Sequence, residues 1–300
     1  MPAGTLVLLY HRVAQLDRDP YGLAVRPDRF AQQCSVLRQH CDVVPLSDAN
    51  GGPRQVAITF DDGYADNCGA AREILSNTGL PATFFITEAR LGQRAEVWWD
   101  RLEHTLFDCE PRPDHVEVDI GGSRFWGDIR SPTARARVHE ALYRRLQRLR
   151  PSTIESMLTR IETQLGVERD DRETHRWMTV DELRALATTA GVDVGAHTLT
   201  HPFLAALPRE EQWQEINGSR VHLERLLQTR ISAFSYPYGG HEAFDAVTTQ
   251  LVREAGYTLA CTTGGGLAHA NHHPYTIPRN VVGDWDAATF AQWLERSLAS

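Results

Sequence analysis

The chain has 300 residues, of which 42% are hydrophobic and 23% are charged. This composition excludes a largely disordered chain, a collagen-like repeat and a small disulfide scaffold, and the length allows a large buried core. The net charge of −8 and the lack of a cationic tail argue against a general nucleic-acid-binding protein. All 31 basic residues are arginine, which excludes Schiff-base lysine chemistry and a Walker A phosphate loop.

Short apolar segments rich in β-branched residues alternate with helical patterns along the chain. Strands are predicted at residues 6–10, 56–60, 82–86, 192–196, 233–236, 257–261 and 275–277. Helices are predicted at residues 28–40, 65–77, 132–149, 152–165, 180–190, 208–228, 244–255 and 287–298. Two capping boxes, Ser152 with Glu155 and Thr179 with Glu182, support two of the helices. Apolar strands that are each followed by a helix favour a parallel sheet buried on both faces, so we predict an α/β fold with a closed or nearly closed barrel.

The segment from about residue 88 to residue 177 breaks this alternation, because it contains no predicted core strand. It holds helical patterns and a predicted β-hairpin, 115–120 and 123–126, joined by Gly121-Gly122. We therefore predict one barrel domain over residues 1–300, with an insertion at about 88–177 after the third strand. Trp98 and Trp99 in this insertion either stack on a sugar or pack within a helix, and packing is the commoner role.

The cysteines and the N-terminus bear on the compartment. Five cysteines, at 34, 41, 68, 109 and 261, are scattered without a Cys-x-x-Cys pair, which is typical of reduced thiols. The N-terminal residues lack a basic segment before a short apolar run, so they predict a first strand rather than a signal peptide. No stretch approaches the ~20 apolar residues that cross a bilayer. We expect a cytoplasmic protein without a transmembrane segment, and no pattern in the sequence indicates an oligomeric state.

Two adjacent carboxylates, Asp61 and Asp62, end a predicted buried strand and are followed by Gly63. Ligands of parallel α/β sheets bind at the carboxyl ends of the strands. Because adjacent side chains diverge in direction, one carboxylate can bind a metal while the other handles protons. The alternative is a solvated turn in which an aspartate caps the following helix.

A pair of histidines, His197 and His201, follows another predicted strand. In a helical turn, residues four apart lie on one face, so both imidazoles can bind one metal ion. Two histidines and one aspartate make a facial set of ligands that leaves positions open for water and substrate. The alternative is two ordinary histidines on the surface.

A third segment, residues 234–240, runs from a predicted strand into Pro237, Tyr238 and Gly239. A tight turn of this kind can direct a backbone N–H at an oxyanion. The alternative is a plain loop that leaves the strand.

Together and in this order, these motifs resemble those of the polysaccharide deacetylase family, carbohydrate esterase family 4. The family pattern Thr-Phe-Asp-Asp-Gly is found at residues 59–63, His-[Ser/Thr]-x-x-His at 197–201 and Pro-Tyr-Gly at 237–239. The resemblance extends over roughly residues 5–90 and 178–285. It implies a distorted (β/α)7 barrel and the metal-dependent hydrolysis of N-acetyl groups on amino sugars.

The resemblance assigns roles to individual residues of this chain. Asp62, His197 and His201 would be the ligands of one divalent metal ion, and the imidazole ligands favour zinc. Asp61 would be the base that activates water. The backbone N–H of Tyr238 would help the metal to stabilise the tetrahedral oxyanion, a contribution typically of a few kcal/mol per donor.

The chain departs from the family pattern where members often have an arginine that orients the catalytic aspartate, because this position is Ser235. A catalytic aspartate beside a metal needs a partner that holds its rotamer and keeps it ionised. We predict that Arg279, after the last predicted strand, replaces the missing arginine and contacts Asp61. The alternative is a surface ion pair of Arg279 with Asp284 or Asp286.

The second departure is the lack of the late Leu-x-His that supplies the general acid in many members. The remaining candidates are His11, His269, His272 and His273. We choose His11, because it ends the first predicted strand and should face the mouth of the barrel. Its alternative is a structural, hydrogen-bonded histidine.

We interpret the chain as a metal-dependent amidohydrolase that removes an N-acetyl group from an amino sugar and releases acetate. A sugar nucleotide, a lipid-linked saccharide or a small glycoside fits the expected cytoplasmic location better than a cell-wall polymer. One alternative is hydrolysis of a non-sugar amide, such as a cyclic imide or ureide, on the same barrel. Another is a non-catalytic saccharide-binding protein. The presence of Asp61 and of all three predicted ligands disfavours both.

Overall fold

The computed structural model describes residues 4–108, 113–168 and 171–299. The strands in these ranges are β1 (Gly4–Tyr10), β2 (Arg12–Val13), β3 (Ala24–Val25), β4 (Asp42–Val43), β5 (Gln55–Phe60), β6 (Ala82–Ile86), β7 (His115–Ile120), β8 (Ser123–Asp128), β9 (Val192–Ala196), β10 (Ala233–Ser235), β11 (Leu259–Cys261), β12 (Ala268–His269) and β13 (Asn280–Val281). The α-helices are α1 (Pro27–His40), α2 (Arg72–Thr78), α3 (Trp98–Phe107), α4 (Pro132–Leu146), α5 (Pro151–Leu165), α6 (Val180–Ala187), α7 (Arg209–Leu227), α8 (Ala246–Glu254) and α9 (Ala287–Leu298).

A curled parallel sheet forms the centre of the fold, and its strands lie in the order β11-β10-β9-β6-β5-β1. The segment 274–282 connects the two ends of this row. At one end, Ile277 donates to the carbonyl of Ala260 in β11 and accepts from the N–H of Thr262, which follows β11. At the other end, β13 pairs in parallel with Leu8 and Leu9 of β1. This is the predicted α/β fold, a distorted (β/α)7 barrel.

The alternation of side chains along the strands separates two apolar cores. Leu6, Leu8 and Tyr10 of β1 face the helices and join a large cluster that includes Phe30 of α1. Val7 points the opposite way, into a small cluster with Ala57, Phe85, Ala233 and Cys261 from the neighbouring strands, together with Leu46 and Ala268. Because one side chain in two points inward along a strand, this second cluster fills the interior of the barrel. The polar site is built on the inward-facing positions at the carboxyl ends of the strands.

Several predicted elements differ from the observed ones. The strand predicted at 275–277 is wrong: only Ile277 forms a bridge, to Cys261, and the strand lies at Asn280–Val281. Pro278 has no N–H, so a continuous ladder cannot pass through it. The helix predicted at 65–77 is divided into a π-helical turn, Asn67–Ala71, and α2, because Gly69 adopts a non-helical conformation.

The two predicted capping boxes have different outcomes. The Thr179–Glu182 box is present at the start of α6. The Ser152–Glu155 box is wrong, because α5 begins one residue earlier, at Pro151, and Arg150 is its N-cap residue. Proline is favoured in the first turn of a helix, where its missing N–H costs nothing.

The chain separates into two compact units, one made of Met1–Gln93 with Trp177–Ser300 and the other of Arg94–Arg176. The first unit contains the barrel. The second contains α3, the antiparallel β7–β8 hairpin, α4 and α5. The hairpin, α4 and α5 correspond to predicted elements, whereas α3 was not among the predicted helices.

The second unit has its own buried ionic network. Arg101 binds Glu162 through three hydrogen bonds of 2.9–3.0 Å and also pairs with Glu155.

Trp98, which is 4% exposed, stacks on Tyr143 with the ring centroids 5.1 Å apart. These contacts favour the packing role of this tryptophan within the unit over the sugar-stacking role.

Two further expectations concern compartment and membrane. Four cysteines, at 34, 41, 68 and 261, are free thiols in the structure, and Cys109 lies outside the described residues. Among the helices of the described ranges, none has the length and hydrophobicity that crossing a bilayer requires.

Candidate metal centre and catalytic site

Except for Arg279, the predicted site residues come from loops that follow neighbouring parallel strands. Asp61 and Asp62 come directly after β5, and His197 comes directly after β9. Tyr238 lies three residues beyond β10, and Arg279 directly precedes β13. Because the carboxyl ends of parallel strands share one end of the barrel, these side chains converge there.

Asp62, His197 and His201 form a compact, buried group. Their ligand atoms all lie within 4.8 Å of one another. The Nε2 atoms of His197 and His201 are each 3.5 Å from Oδ1 of Asp62, and the three residues are at most 8% exposed. Two ligand atoms that are each about 2.1 Å from one zinc ion lie at most about 4.2 Å apart, so the two 3.5 Å separations would allow one ion to contact Asp62 and each histidine.

A second contact fixes the chemical form of His197. Its Nδ1 lies 2.8 Å from the carbonyl oxygen of Ser235, and a carbonyl can only accept a hydrogen bond. Nδ1 therefore donates, and in the neutral ring the lone pair is on Nε2, which faces Asp62. Metal-binding histidines typically make such a hydrogen bond through their other nitrogen. The residues present thus fit a divalent metal ion with two imidazole ligands and one carboxylate ligand.

The electrostatics of the two histidines differ. Burial, together with the neighbouring His197, lowers the pKa of His201 to about 3, so the ring is neutral and able to bind a metal. Burial also opposes the charged form of His197, but the carboxylates of Asp61 and Asp62 outweigh it and raise the pKa of His197. In the absence of a metal, the two carboxylates therefore favour the charged form of the His197 ring.

Arg279 donates hydrogen bonds to both oxygens of the Asp61 carboxylate. Nη1 donates to Oδ1 at 2.7 Å and Nη2 donates to Oδ2 at 2.6 Å. The predicted contact is therefore present, and it is bidentate. The alternative partners of Arg279 are engaged elsewhere, because Asp284 pairs with Arg26 and Asp286 with Arg29.

Ser235, at the position where the family pattern often has arginine, hydrogen-bonds to both Asp61 and Arg279. Its hydroxyl donates to Oδ2 of Asp61 at 3.1 Å and accepts from Nη2 of Arg279 at 2.7 Å. Arg279, which is 0% exposed, also donates to the Thr59 hydroxyl and the Thr262 carbonyl. The guanidinium that contacts Asp61 thus comes from the segment before β13 and not from the position of Ser235.

The charge state of Asp61 follows from these contacts. Burial alone would raise the pKa of Asp61, but the charge and hydrogen bonds of Arg279 outweigh burial and hold the pKa well below its ordinary value. The carboxylate is therefore ionised at neutral pH, which is the form that accepts a proton. The same contacts reduce its strength as a base.

The backbone of the site is strained. Six non-glycine residues in the described ranges have positive φ, and four of them are site-loop residues: Asp62, Thr198, His201 and Tyr238. A positive φ is uncommon for residues with a Cβ and persists only when the surrounding structure enforces it. Such strained residues cluster at functional sites, so their concentration agrees with the predicted position of the site at this end of the barrel.

The Pro-Tyr-Gly turn is locked against the next loop. Oγ1 of Thr263 donates to the carbonyl of Tyr238, and the Thr263 N–H donates to the carbonyl of Gly239. The ring of Tyr238 lies 4.8 Å from that of His201. The turn therefore borders the candidate metal centre, as the resemblance predicted for an oxyanion-binding segment.

His11 is half-buried directly after β1, and a positive charge on its ring would add a small contribution to those of the nearer groups that lower the pKa values of Asp61 and Asp62. Its ring is therefore within electrostatic range of both carboxylates. The other candidates lie at the end of β12 and in the loop after it, where His269 stacks on His272 and the ring nitrogen of His273 accepts from the Tyr275 N–H.

Two contributors to the site have no sequence motif of their own. Oγ1 of Thr198 accepts from the His201 N–H at 3.0 Å, and its position within the histidine motif was the only signal for it. Glu215 on α7 accepts hydrogen bonds from the loop that joins the two histidines. It lies within an ordinary helical pattern, and nothing in the sequence distinguishes it from the other glutamates of α7.

The sequence matches the polysaccharide deacetylase domain family over residues 48–108 and 157–260, which together make up more than half of the chain. A curated relative, YxkH of Bacillus subtilis (strain 168), bears a name that places it among the polysaccharide deacetylases, and it is 23% identical over 119 residues. This match covers 39% of the present chain and 41% of the relative, so it spans about two fifths of the relative's length.

Solved structures resemble the chain over nearly its whole length. The deacetylase PplD of Streptococcus pyogenes, in complex with acetate, has a TM-score of 0.63 at 16% identity and covers 99% of both chains. IcaB of Ammonifex degensii has a TM-score of 0.64 at 19% identity, with 98% of this chain and 97% of that chain covered. At these identities the likeness shows the fold.

Proposed function

Because the chain belongs to the polysaccharide deacetylase family and is accordingly a hydrolase of amide bonds, we propose that it removes the N-acetyl group from an amino sugar and releases acetate. The observation that carries this proposal is the pairing of two features at the mouth of the barrel. A buried set of three metal ligands lies beside a carboxylate that Arg279 holds ionised. Hydrolysis of an unactivated amide needs both an electrophilic centre and a proton acceptor.

The metal ligands are Asp62, His197 and His201 in this proposal, and zinc is the ion that this set favours. When bound, a divalent metal supplies Lewis acidity, which acidifies water and polarises a carbonyl group. The hydrogen bond from His197 to the Ser235 carbonyl keeps the ring oriented for binding. Asp62 is free of the arginine that holds its neighbour, so the two adjacent aspartates have separate tasks.

Asp61 is the general base of the proposed reaction. Arg279 and Ser235 fix its rotamer, and the carboxylate accepts a proton from the water that attacks the acetyl carbon. The backbone N–H of Tyr238 stabilises the oxyanion that develops on the acetyl oxygen. His11 is the proposed general acid, which delivers a proton to the departing amine of the sugar.

The substrate proposed is an N-acetylated amino sugar on a nucleotide, a lipid carrier or a small glycoside. This choice of substrate depends on the cytoplasmic location inferred from the scattered cysteines. The substrate class and the location are therefore both parts of the proposal. We retain with it the interpretation of a single barrel domain with an insertion at about residues 88–177.

The test is a screen for acetate release by the zinc-loaded protein across N-acetylated sugar nucleotides, lipid-linked saccharides and small glycosides. Cyclic imides and ureides are screened in parallel, and the Asp61→Asn variant is the matched control for contaminating activity. Acetate release from an amino sugar by the wild type alone supports the proposal. Turnover of the imides only, or metal binding with saccharide affinity but no turnover, would replace it with one of the alternatives.

A further inference from the structure

The loop between the two predicted histidine ligands is held by a single carboxylate on α7. Oε2 of Glu215 accepts from the backbone N–H groups of Leu199 at 2.9 Å and Thr200 at 2.8 Å. Oε1 of Glu215 accepts from the hydroxyl of Thr200 at 2.6 Å. Three donors that lie between His197 and His201 thus converge on one side chain, and short charge-assisted bonds of this kind are the stronger ones.

The helix is also shaped to approach this loop closely. Gly218 lies one turn after Glu215 on the same face of α7, and a Cβ at Gly218 would be 2.8 Å from Cδ1 of Leu199. On its other side, the loop accepts hydrogen bonds from the residues after β6, Glu88 N–H to the Thr198 carbonyl and Ala89 N–H to the Leu199 carbonyl. Glu215 therefore binds the N–H groups of Leu199 and Thr200, while the carbonyl groups of Thr198 and Leu199 are bound by the residues after β6.

The conformation that these contacts maintain is an unfavourable one. Thr198 has φ +65° and His201 has φ +61°, so both ends of the short loop are in the left-handed region. Residues with a Cβ leave this region when the constraints on them are removed. Relaxation of either residue would turn the imidazole of His201 away from Asp62, to which its Nε2 is now 3.5 Å distant.

We propose that Glu215 is a positioning residue that sets the metal affinity of the centre by fixing the loop between His197 and His201. The inference rests on the proposed metal site and assigns a further residue to it. It attributes the effect of Glu215 to hydrogen-bond geometry rather than to the negative charge that it adds near the centre.

The experiment measures the Zn²⁺ dissociation constant of the full chain by competition with a chelator, together with the melting temperature of the metal-free protein. Glu215→Ala removes all three hydrogen bonds. Glu215→Asp keeps the charge on the same helix but withdraws the carboxylate by about one C–C bond length, ~1.5 Å, which breaks the contacts. The matched control is Glu224→Ala, because Glu224 is a half-buried glutamate of the same helix that accepts from the Ile231 N–H and from Arg220.

The expected result is a 10–100-fold weaker affinity in both Glu215 variants, the range typical for partners that orient a metal ligand. Glu224→Ala should lower the melting temperature and leave the affinity within about twofold. Wild-type affinity in Glu215→Ala would overturn the inference, and if that variant does not fold, wild-type affinity in Glu215→Asp would do the same. Absence of zinc binding by the wild type would overturn the proposed metal site itself, and the inference with it.

Discussion

At the scale of single residues, the two adjacent aspartates owe their different properties to their different neighbours. Asp61 faces a guanidinium on both oxygens, whereas Asp62 faces two imidazoles. A carboxylate that already accepts two hydrogen bonds from arginine and one from Ser235 is a poor choice for a metal ligand, because only about one of its four lone-pair sites is left, which is enough to accept a proton. In the proposed function, these different neighbours suit Asp61 to proton transfer and Asp62 to metal binding, although the two are adjacent in the chain.

Asp61→Asn should lower turnover by about 10²–10⁴-fold, the usual range for loss of a general base. The amide has nearly the shape of the carboxylate but does not accept a proton from water. Metal content should stay near the wild-type value, because Asp62 and the two histidines are unchanged. Steady-state kinetics with elemental analysis checks both statements, and near-normal turnover would place the base elsewhere.

Arg279→Lys should be poorly tolerated although it preserves the positive charge. An ammonium group cannot donate to both oxygens of Asp61 and to Ser235 in the planar arrangement of a guanidinium. We expect kcat to fall by about 10²-fold, as for other small misplacements of a catalytic group. The control is Arg54→Lys, because Arg54 makes a similar two-pronged contact with Glu295 at the surface. Equal kcat values for both variants and the wild type would show that the fork geometry is irrelevant.

At the scale of elements, the turn after β10 depends on one glycine. Gly239 has φ +61°, and a Cβ there would lie 2.9 Å from the backbone nitrogen of Thr263, which cannot move aside. Gly239→Ala should therefore shift the turn that carries Tyr238, lower kcat and reduce stability by roughly 1–3 kcal/mol. Gly121→Ala is the control, since Gly121 also has φ +61° but no atom near its Cβ. It should lose some stability to strain alone and keep its kcat, and loss of kcat in both variants would contradict the role of the turn.

The second unit gives a separate test of packing. Trp98→Ala should lower the free energy of unfolding by about 3–5 kcal/mol, because its buried ring stacks on Tyr143 and the neighbouring side chains cannot refill the space. Trp126, on β8, is 59% exposed and serves as the control, with an expected effect within about 0.5 kcal/mol. Denaturant unfolding compares the two. If the unfolding free energies of the two variants are equal, Trp98 is not a core residue of this unit.

The elements that the sequence predicted correctly are those with strong local patterns. The apolar strands at 82–86 and 192–196 and the helix at 287–298 have the predicted bounds. The strand near the C-terminus was placed wrongly, because its position depends on pairing with β1, far away in the sequence, rather than on its own composition. Long-range pairing of this kind leaves no periodic signal.

In the candidate site too, residues with a local sequence motif were predicted, and a residue placed by long-range contacts was missed. The paired aspartates and the two histidines were found because their motifs are local, and Arg279 because a missing arginine left a charge to be supplied. Glu215 could not be found in this way. Its relation to the histidine loop is created by the approach of α7, which requires the three-dimensional fold.

At the scale of the whole molecule, a bound metal should stabilise the barrel, because its ligands come from loops that are distant in sequence. Asp62 follows β5, whereas His197 and His201 follow β9, so an ion held by all three binds only the folded chain. At a free metal concentration of 100 times the dissociation constant, this linkage contributes about 2.7 kcal/mol.

Removal of the metal with a chelator should therefore lower the melting temperature by roughly 5–10 °C, at about 2–4 °C per kcal/mol for a domain of this size. His201→Ala should melt at the same temperature with and without zinc, because two ligands are left where three are needed, and it should also lose activity. Calorimetry on chelated and zinc-loaded samples, with elemental analysis of each, makes the comparison. A zinc-dependent melting temperature that survives in His201→Ala would show that the ion binds through other residues. An unchanged melting temperature in the chelated wild type, with the metal shown to be gone, would contradict this linkage, because an ion that binds only the folded chain must stabilise it.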